Sequence, residues 1–263
     1  MSDTFQDRYG PWALVAGASE GIGAEFVRAL AARGLNLVMI ARRPEPLERL
    51  AGEVEQDFQV NTQVLPLDLC EPDWIDHVAD ATSAIDIGLV IYNATISHLG
   101  YFTDLSRADK MQVTHVNVDA PVLAADHFAP QLVARGRGGM IFMGSMAGWQ
   151  GTSMVATYSG TKAFMRVFAE ALWAELAPKG VDVLACVAGA TDTPGYRMTN
   201  PAAAVPVQNS GAVVREALQA LGRRPLIVTG GVNRLAAFVF NRLLPRSWAV
   251  RFMRGQMRRQ YDP

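Results

Sequence analysis

Short apolar runs alternate with longer amphipathic stretches from Trp12 to Thr229. Trp12-Ala13-Leu14-Val15-Ala16 is apolar throughout and ends at a glycine, the pattern of a strand covered on both faces. Phe26, Val27, Leu30 and Ala31 then recur at helical spacing until Arg33-Gly34 supplies a stop. The same alternation predicts further strands over 36–41, 63–67, 87–92, 140–143, 181–187 and 226–229. Between them it predicts helices over 47–58, 73–83, 107–132 with a bend at Pro121, 157–177 and 212–221. Strands separated by helices of this length need crossover connections. The expected fold class is therefore α/β, a doubly wound, mainly parallel seven-stranded sheet with helices on both faces.

Length and hydrophobic content allow one large core, so residues 1–263 are expected to form a single domain with its core at about 12–230. The pattern breaks at about 194–211, an Ala/Pro/Asn-rich stretch after Thr193 that reads either as a lid beside the strand ends or as a plain surface connection. Charge is uneven. The formal total is −1, yet seven arginines and one acid fall between Val232 and Pro263, so a basic amphipathic arm at about 232–260 follows a body of charge −7. Leu235, Phe238, Leu243, Trp248 and Phe252 alternate with its arginines, and Pro245 divides it into two helices. Packing on its own domain is the first expectation for the arm, ahead of a subunit contact, a pocket cover, or peripheral contact with a membrane surface.

No apolar run reaches the roughly 18 residues of a membrane span, and Met1–Gly10 is too polar for a signal peptide. Cys70 and Cys186 each lie inside an apolar element, so no disulfide framework is expected and a reducing, cytoplasmic setting fits. His98 and His115 lack paired ligands at metal spacing, so no metal is expected, and no nucleic-acid partner is expected either.

Candidate chemistry begins at the first strand–helix turn, Gly17-Ala18-Ser19-Glu20-Gly21-Ile22-Gly23. Glycines there permit a tight turn and close approach of backbone to a pyrophosphate at a helix N-terminus, so a dinucleotide is the natural ligand. At the end of the second strand an acid would bond a ribose 2′-hydroxyl, but this chain has Arg42-Arg43, which favours NADP(H) while NAD(H) stays open. Asp68, past the third strand, is placed to meet the adenine. Farther on, Ser145 closes an apolar run, Tyr158 follows thirteen residues later, and Lys162 stands one helical turn beyond Tyr158. An ammonium close to a phenol favours the phenolate, which would lower the tyrosine pKa and make Tyr158 a usable acid or base.

With these motifs in order, the chain resembles the short-chain dehydrogenase/reductase family in its one-domain, Rossmann-fold branch, over about 12–229. The resemblance rests on Gly17-x-x-x-Gly21-x-Gly23, Asp68-Leu69, Asn93-Ala94, Asn117, Ser145, Tyr158-x-x-x-Lys162 and Gly189-x-x-x-Thr193. It implies Tyr158 as acid/base, Ser145 as hydrogen-bond partner of the substrate oxygen, Lys162 on the nicotinamide ribose, and Asn117 in the proton relay. It implies cofactor contacts at Gly17, Ser19, Glu20, Gly21, Ile22, Gly23, Arg42, Arg43, Asp68, Leu69, Asn93, Ala94, Tyr158, Lys162, Gly189, Thr191 and Thr193. Two positions depart from the family pattern: Thr95 stands at a usual glycine, and Ala188 at a usual proline.

The expected activity is reversible NADP(H)-dependent reduction of a ketone or aldehyde. The resemblance places His98, Leu99, Ala147, Trp149, Tyr196 and Met198 around the substrate, a mostly apolar set that favours a hydrophobic small molecule. It also implies a homodimer or homotetramer through helices 107–132 and 157–177. A non-catalytic, redox-sensing dinucleotide-binding protein is the alternative, and the complete Asn-Ser-Tyr-Lys set argues against it.

Overall fold

The computed structural model describes residues 4–199 and 206–261. The chain runs through α1 (Phe5–Tyr9), β1 (Trp12–Ala16), α2 (Gly21–Ala31), β2 (Asn36–Ala41), α3 (Pro44–Phe58), β3 (Thr62–Pro66), α4 (Trp74–Thr82) and β4 (Ile87–Tyr92). It continues through α5 (Arg107–Thr114), α6 (Ala120–Arg135), β5 (Gly138–Ser145), α7 (Ala156–Leu176), β6 (Val181–Ala188) and β7 (Thr191–Asp192). Last come α8 (Pro194–Met198), β8 (Gln208–Asn209), α9 (Ser210–Ala220), β9 (Leu226–Val228), α10 (Gly231–Phe238) and α11 (Arg246–Tyr261).

The main sheet has seven strands in the order β3-β2-β1-β4-β5-β6-β9, every neighbouring pair parallel. Successive strand residues point to opposite faces, and the core divides accordingly. Val15, Met39, Ile91 and Ile141 pack against Phe26, Leu30, Leu47 and Leu218 of α2, α3 and α9. Leu14, Val38, Val90 and Phe142 pack against Trp74, Phe128 and Met165 of α4, α6 and α7. Burial on both sides explains why β1 and β4 read as unbroken apolar runs, each large side chain contributing about 1.5–3 kcal/mol. Because β4 lies beside β1, the direction of winding reverses there, and the carboxyl ends of these strands open onto a crevice.

Three local features differ from the sequence expectation. The polar N-terminus holds a helix, α1, started by a reciprocal Thr4–Asp7 capping box and docked by Tyr9, whose hydroxyl donates to Asp182 Oδ2 at 2.6 Å. The bend expected at Pro121 lies earlier, as a wide π-helical turn over His115–Asp119. Pro121 sits in the first turn of α6 and has no N–H to give the carbonyl of Asn117, so the preceding helix cannot continue unbroken. Finally, the stretch expected to be irregular begins with α8 and ends in a parallel pairing of β7 with β8, while the middle of the expected lid, 200–205, lies outside the described residues.

Candidate active site

The glycine turn is held in shape by the protein itself. Gly17 has φ +79°, and a Cβ there would lie 2.7 Å from backbone atoms of Ala94. At Gly23 a Cβ would lie 1.8 Å from the Gly17 carbonyl oxygen, and at Gly21 it would meet the Thr193 methyl at 2.8 Å. Asn93 Nδ2 donates to that same Gly17 carbonyl at 2.9 Å. Thus three segments distant in sequence, around Gly17, Asn93 and Thr193, close on one another at the strand ends. Ser19 and Ile22 lie in the same turn, half-buried. Glu20 is the N-cap of α2 but makes no side-chain capping bond, so the first-turn N–H groups of that helix are left for a ligand. The bare cradle and these donors fit a pyrophosphate.

The two arginines after β2 differ. Arg43 pairs with Glu20 at 2.6 Å, whereas Arg42 is exposed with no ion-pair partner among the described residues. Asp68 Oδ1 accepts from the Cys70 N–H at 2.9 Å, shaping the turn after β3, and Leu69 is buried beneath it.

Ser145 is the last residue of β5, and its Oγ accepts from Ala147 N–H at 3.2 Å to start a short 3-10 turn. Tyr158 and Lys162 lie on the first turns of α7, which packs against β5 and β6. Lys162 is 2 % exposed; its Nζ donates to the Met143 carbonyl at 2.8 Å and lies 5.6 Å from the centre of the Tyr158 ring. Burial lowers the Lys162 ammonium to about 7. Burial also raises the Tyr158 phenol, opposed by a hydrogen bond with Ser145. The expected lowering of Tyr158 by Lys162 is therefore not the direction found. Desolvation is the largest cause of both shifts, and only Ser145 acts on the phenol in the lowering direction.

Asn117, on the wide turn, is fully buried and saturated. Its Oδ1 accepts from Ile96 N–H at 3.0 Å and Thr95 Oγ1 at 3.1 Å, and its Nδ2 donates to the Ile96 carbonyl at 2.9 Å and Thr161 Oγ1 at 3.1 Å. Thr161 in turn donates to the Tyr158 carbonyl at 2.8 Å. The threonine at the family's glycine position thus joins a polar clamp between the strand β4 exit and α7. Gly189 has a similar constraint: a Cβ there would lie 2.4 Å from Asn233 Nδ2, so the turn beside Ala188 is packed by the first turn of α10. Thr191 Oγ1 donates to the Gly189 carbonyl at 3.0 Å, and Thr193 caps α8 by accepting from Tyr196 N–H at 3.1 Å.

Thr161, Asn233, Arg246 and Gln260 were not legible as site residues, since each meets the site only through tertiary contact. Arg246 donates to the Trp149 carbonyl at 2.6 Å and Gln260 to the Tyr196 hydroxyl at 3.3 Å. Both ends of α11 are therefore tied to segments expected to border the substrate. His98 contacts Gln112 at 2.9 Å and His115 contacts Asp119 at 2.7 Å. Among the described residues no group of three His, Cys, Asp or Glu side chains is placed to hold a metal.

Comparison with known proteins identifies the family. The family model for short chain dehydrogenase matches residues 11–203. A 7beta-hydroxysteroid dehydrogenase of Clostridium sardiniense is 31% identical over 233 residues, covering 88% of this chain and 89% of its own. A solved 7beta-hydroxysteroid dehydrogenase structure superposes with TM-score 0.90 at 29% identity, over 95% of this chain and 99% of the other. A short-chain dehydrogenase from Sphingobium yanoikuyae, in complex with NADPH, superposes with TM-score 0.79 at 28% identity, over 87% of this chain and 92% of the other. This chain therefore belongs to the short-chain dehydrogenase family and is an NAD(P)-dependent oxidoreductase.

Proposed function

We propose that the protein is an NADPH-dependent reductase of a bulky apolar ketone, with Tyr158 as the acid. The observation that carries this reading is the meeting of Ser145, Tyr158 and Lys162 at the carboxyl end of β5, beside the glycine cradle. A bound nicotinamide supplies the hydride for the carbonyl carbon. The chain supplies the rest. Ser145 Oγ–H and Tyr158 O–H donate to the carbonyl oxygen, and the tyrosine proton passes to that oxygen as it becomes an alkoxide. Burial keeps Tyr158 protonated at neutral pH, which suits reduction. Lys162 would hold the nicotinamide ribose and return a proton to the phenolate, taking one from solvent in turn, and Asn117 fixes the helix turn on which both stand.

Support for NADPH comes from the unpaired Arg42 and from the NADPH complex of the Sphingobium yanoikuyae protein. The steroid substrate of the Clostridium sardiniense relative supports an apolar, rigid ketone. The remaining site residues take the cofactor roles that the family pattern assigns them. Exposed Met111, Val122, Val167 and Trp173 on α5, α6 and α7 favour a homo-oligomer through these helices. Two free cysteines favour a reducing, cytoplasmic setting.

Parallel fluorescence titrations with NADPH and NADH, followed by turnover of apolar ketones, test this reading. NADPH is expected to bind tighter. Tyr158→Phe should keep that binding and lose about 10²–10⁴-fold in turnover. Binding without consumption of NADPH for any ketone would favour the redox-sensing alternative.

A further inference from the structure

The C-terminal arm is packed the wrong way round for a helix pair that serves only its own domain. In α10 the inward residues are Asn233, whose Nδ2 donates to the Thr229 carbonyl at 3.0 Å, and the small Ala237. In α11 they are Ala249, Met257 and Gln260. Six large apolar side chains face out. Val232, Leu235, Phe238, Leu243, Trp248 and Phe252 are each more than half exposed. Val232, Leu235 and Phe238 repeat at near-helical spacing, and Trp248 and Phe252 stand one turn apart, so each helix presents an apolar stripe. The first expectation, packing on the protein's own domain, holds for Ala237, Ala249, Met257 and Gln260 and not for these six.

Charge identifies the occupant. Arg234 is paired with Glu216, and Arg246 is bound to Trp149. Arg242, Arg251, Arg254, Arg258 and Arg259 are exposed with no ion-pair partner among the described residues, and no acid occurs from Val232 to Tyr261. A two-fold contact of this arm with the same arm of a second copy would bring unpaired arginines of like charge together. An apolar stripe with a tryptophan, flanked by unpaired cations, matches instead a bilayer interface carrying anionic headgroups. No helix of the described residues is long and apolar enough to cross a membrane, so the contact lies along the surface.

We propose that the arm docks this protein on an anionic membrane surface. Because α11 is tied to Trp149 at one end and Tyr196 at the other, docking sets the mouth of the site against the bilayer. The substrate is then an apolar ketone dissolved in the membrane, a corollary that rests on the proposed reductase activity, whereas the docking itself does not.

Vesicle flotation of the full-length protein, with no cofactor or ketone present, tests the docking. Vesicles of phosphatidylcholine with about one third phosphatidylserine are expected to carry the protein up the gradient, vesicles of phosphatidylcholine alone much less. Salt at about 0.5 M should release it. The triple variant Arg251→Glu/Arg254→Glu/Arg258→Glu and the double variant Leu235→Ser/Trp248→Ser should each bind anionic vesicles about tenfold more weakly or worse. Both should keep the circular dichroism spectrum and thermal transition of the parent and reduce a water-soluble ketone at the parent rate. No flotation with anionic vesicles overturns the proposal. So does dissociation of a solution oligomer by the Leu235→Ser/Trp248→Ser variant, which would mean that a second copy covers the stripe. Absence of ketone turnover in parent and variants alike would count against the reductase reading and leave the flotation result standing.

Discussion

Lys162 is the residue on which the site's electrostatics turn. Its folded pKa of about 7 lies below the ordinary 10.5, so the folded protein gives up this proton before the unfolded chain does. Burying the ammonium therefore costs stability at pH below 7, and that cost fades as pH rises from 7 towards 10.5. Lys162→Met removes the titration. Denaturant unfolding of both proteins should show the parent gaining on the variant as pH rises from about 7 to about 10, with no such trend below about 6. Tyr158 has the opposite shift, and its sign is readable in kinetics. A raised phenol keeps its proton well past neutrality, so reduction should be flat through that range while alcohol oxidation, which needs the phenolate, should speed up as pH rises. Thr95 shows how a departure from a family pattern is absorbed. Its hydroxyl becomes one of four hydrogen bonds that saturate Asn117, so the side chain that replaces a glycine adds a partner to the clamp.

At the scale of elements, α1 was missed because only two of its five residues are apolar and the helix is too short to show a period. What it offered in sequence was the Thr4-x-x-Asp7 cap. What holds it is remote: Asp182 Oδ2 accepts from the Tyr9 hydroxyl and from Arg8 Nε, each at 2.6 Å. Asp182→Ala leaves the buried phenol without its acceptor and should lower unfolding free energy by about 2–3 kcal/mol in chemical denaturation. Adding Tyr9→Phe should recover part of that loss. Because Asp182 lies at the amino end of β6, opposite the strand ends that carry the proposed site, turnover should hold in both variants. The wide turn at His115–Asp119 was placed a few residues late for a related reason. Pro121 signals an interruption, but which residues widen depends on where Asn117 finds its partners.

For the whole molecule, the parallel sheet was legible, since strands buried on both faces are mostly apolar, and boundaries fell within a residue except at β5, which runs two residues beyond 140–143 at each end. The carboxyl-edge placement of Gly17, Arg42, Asn93, Ser145 and Gly189 followed from that topology. The surface was not legible. Exposed Val167 and Trp173 on α7 lead to the expectation that Val167→Glu shifts the protein to a lighter species in light scattering, with the thermal transition of the fold unchanged.

By itself the sequence determined whatever depends on neighbours along the chain: strands and helices from their periods, the glycine turn from backbone freedom, and the tyrosine and lysine on one helix face from their spacing. Tertiary structure alone decided the rest. It set the direction of the Tyr158 and Lys162 shifts, the closure of the polar clamp on Asn117, and the outward turn of six large apolar side chains of the arm. Each of these depends on desolvation and on partners tens of residues away, and a pattern along the chain carries neither.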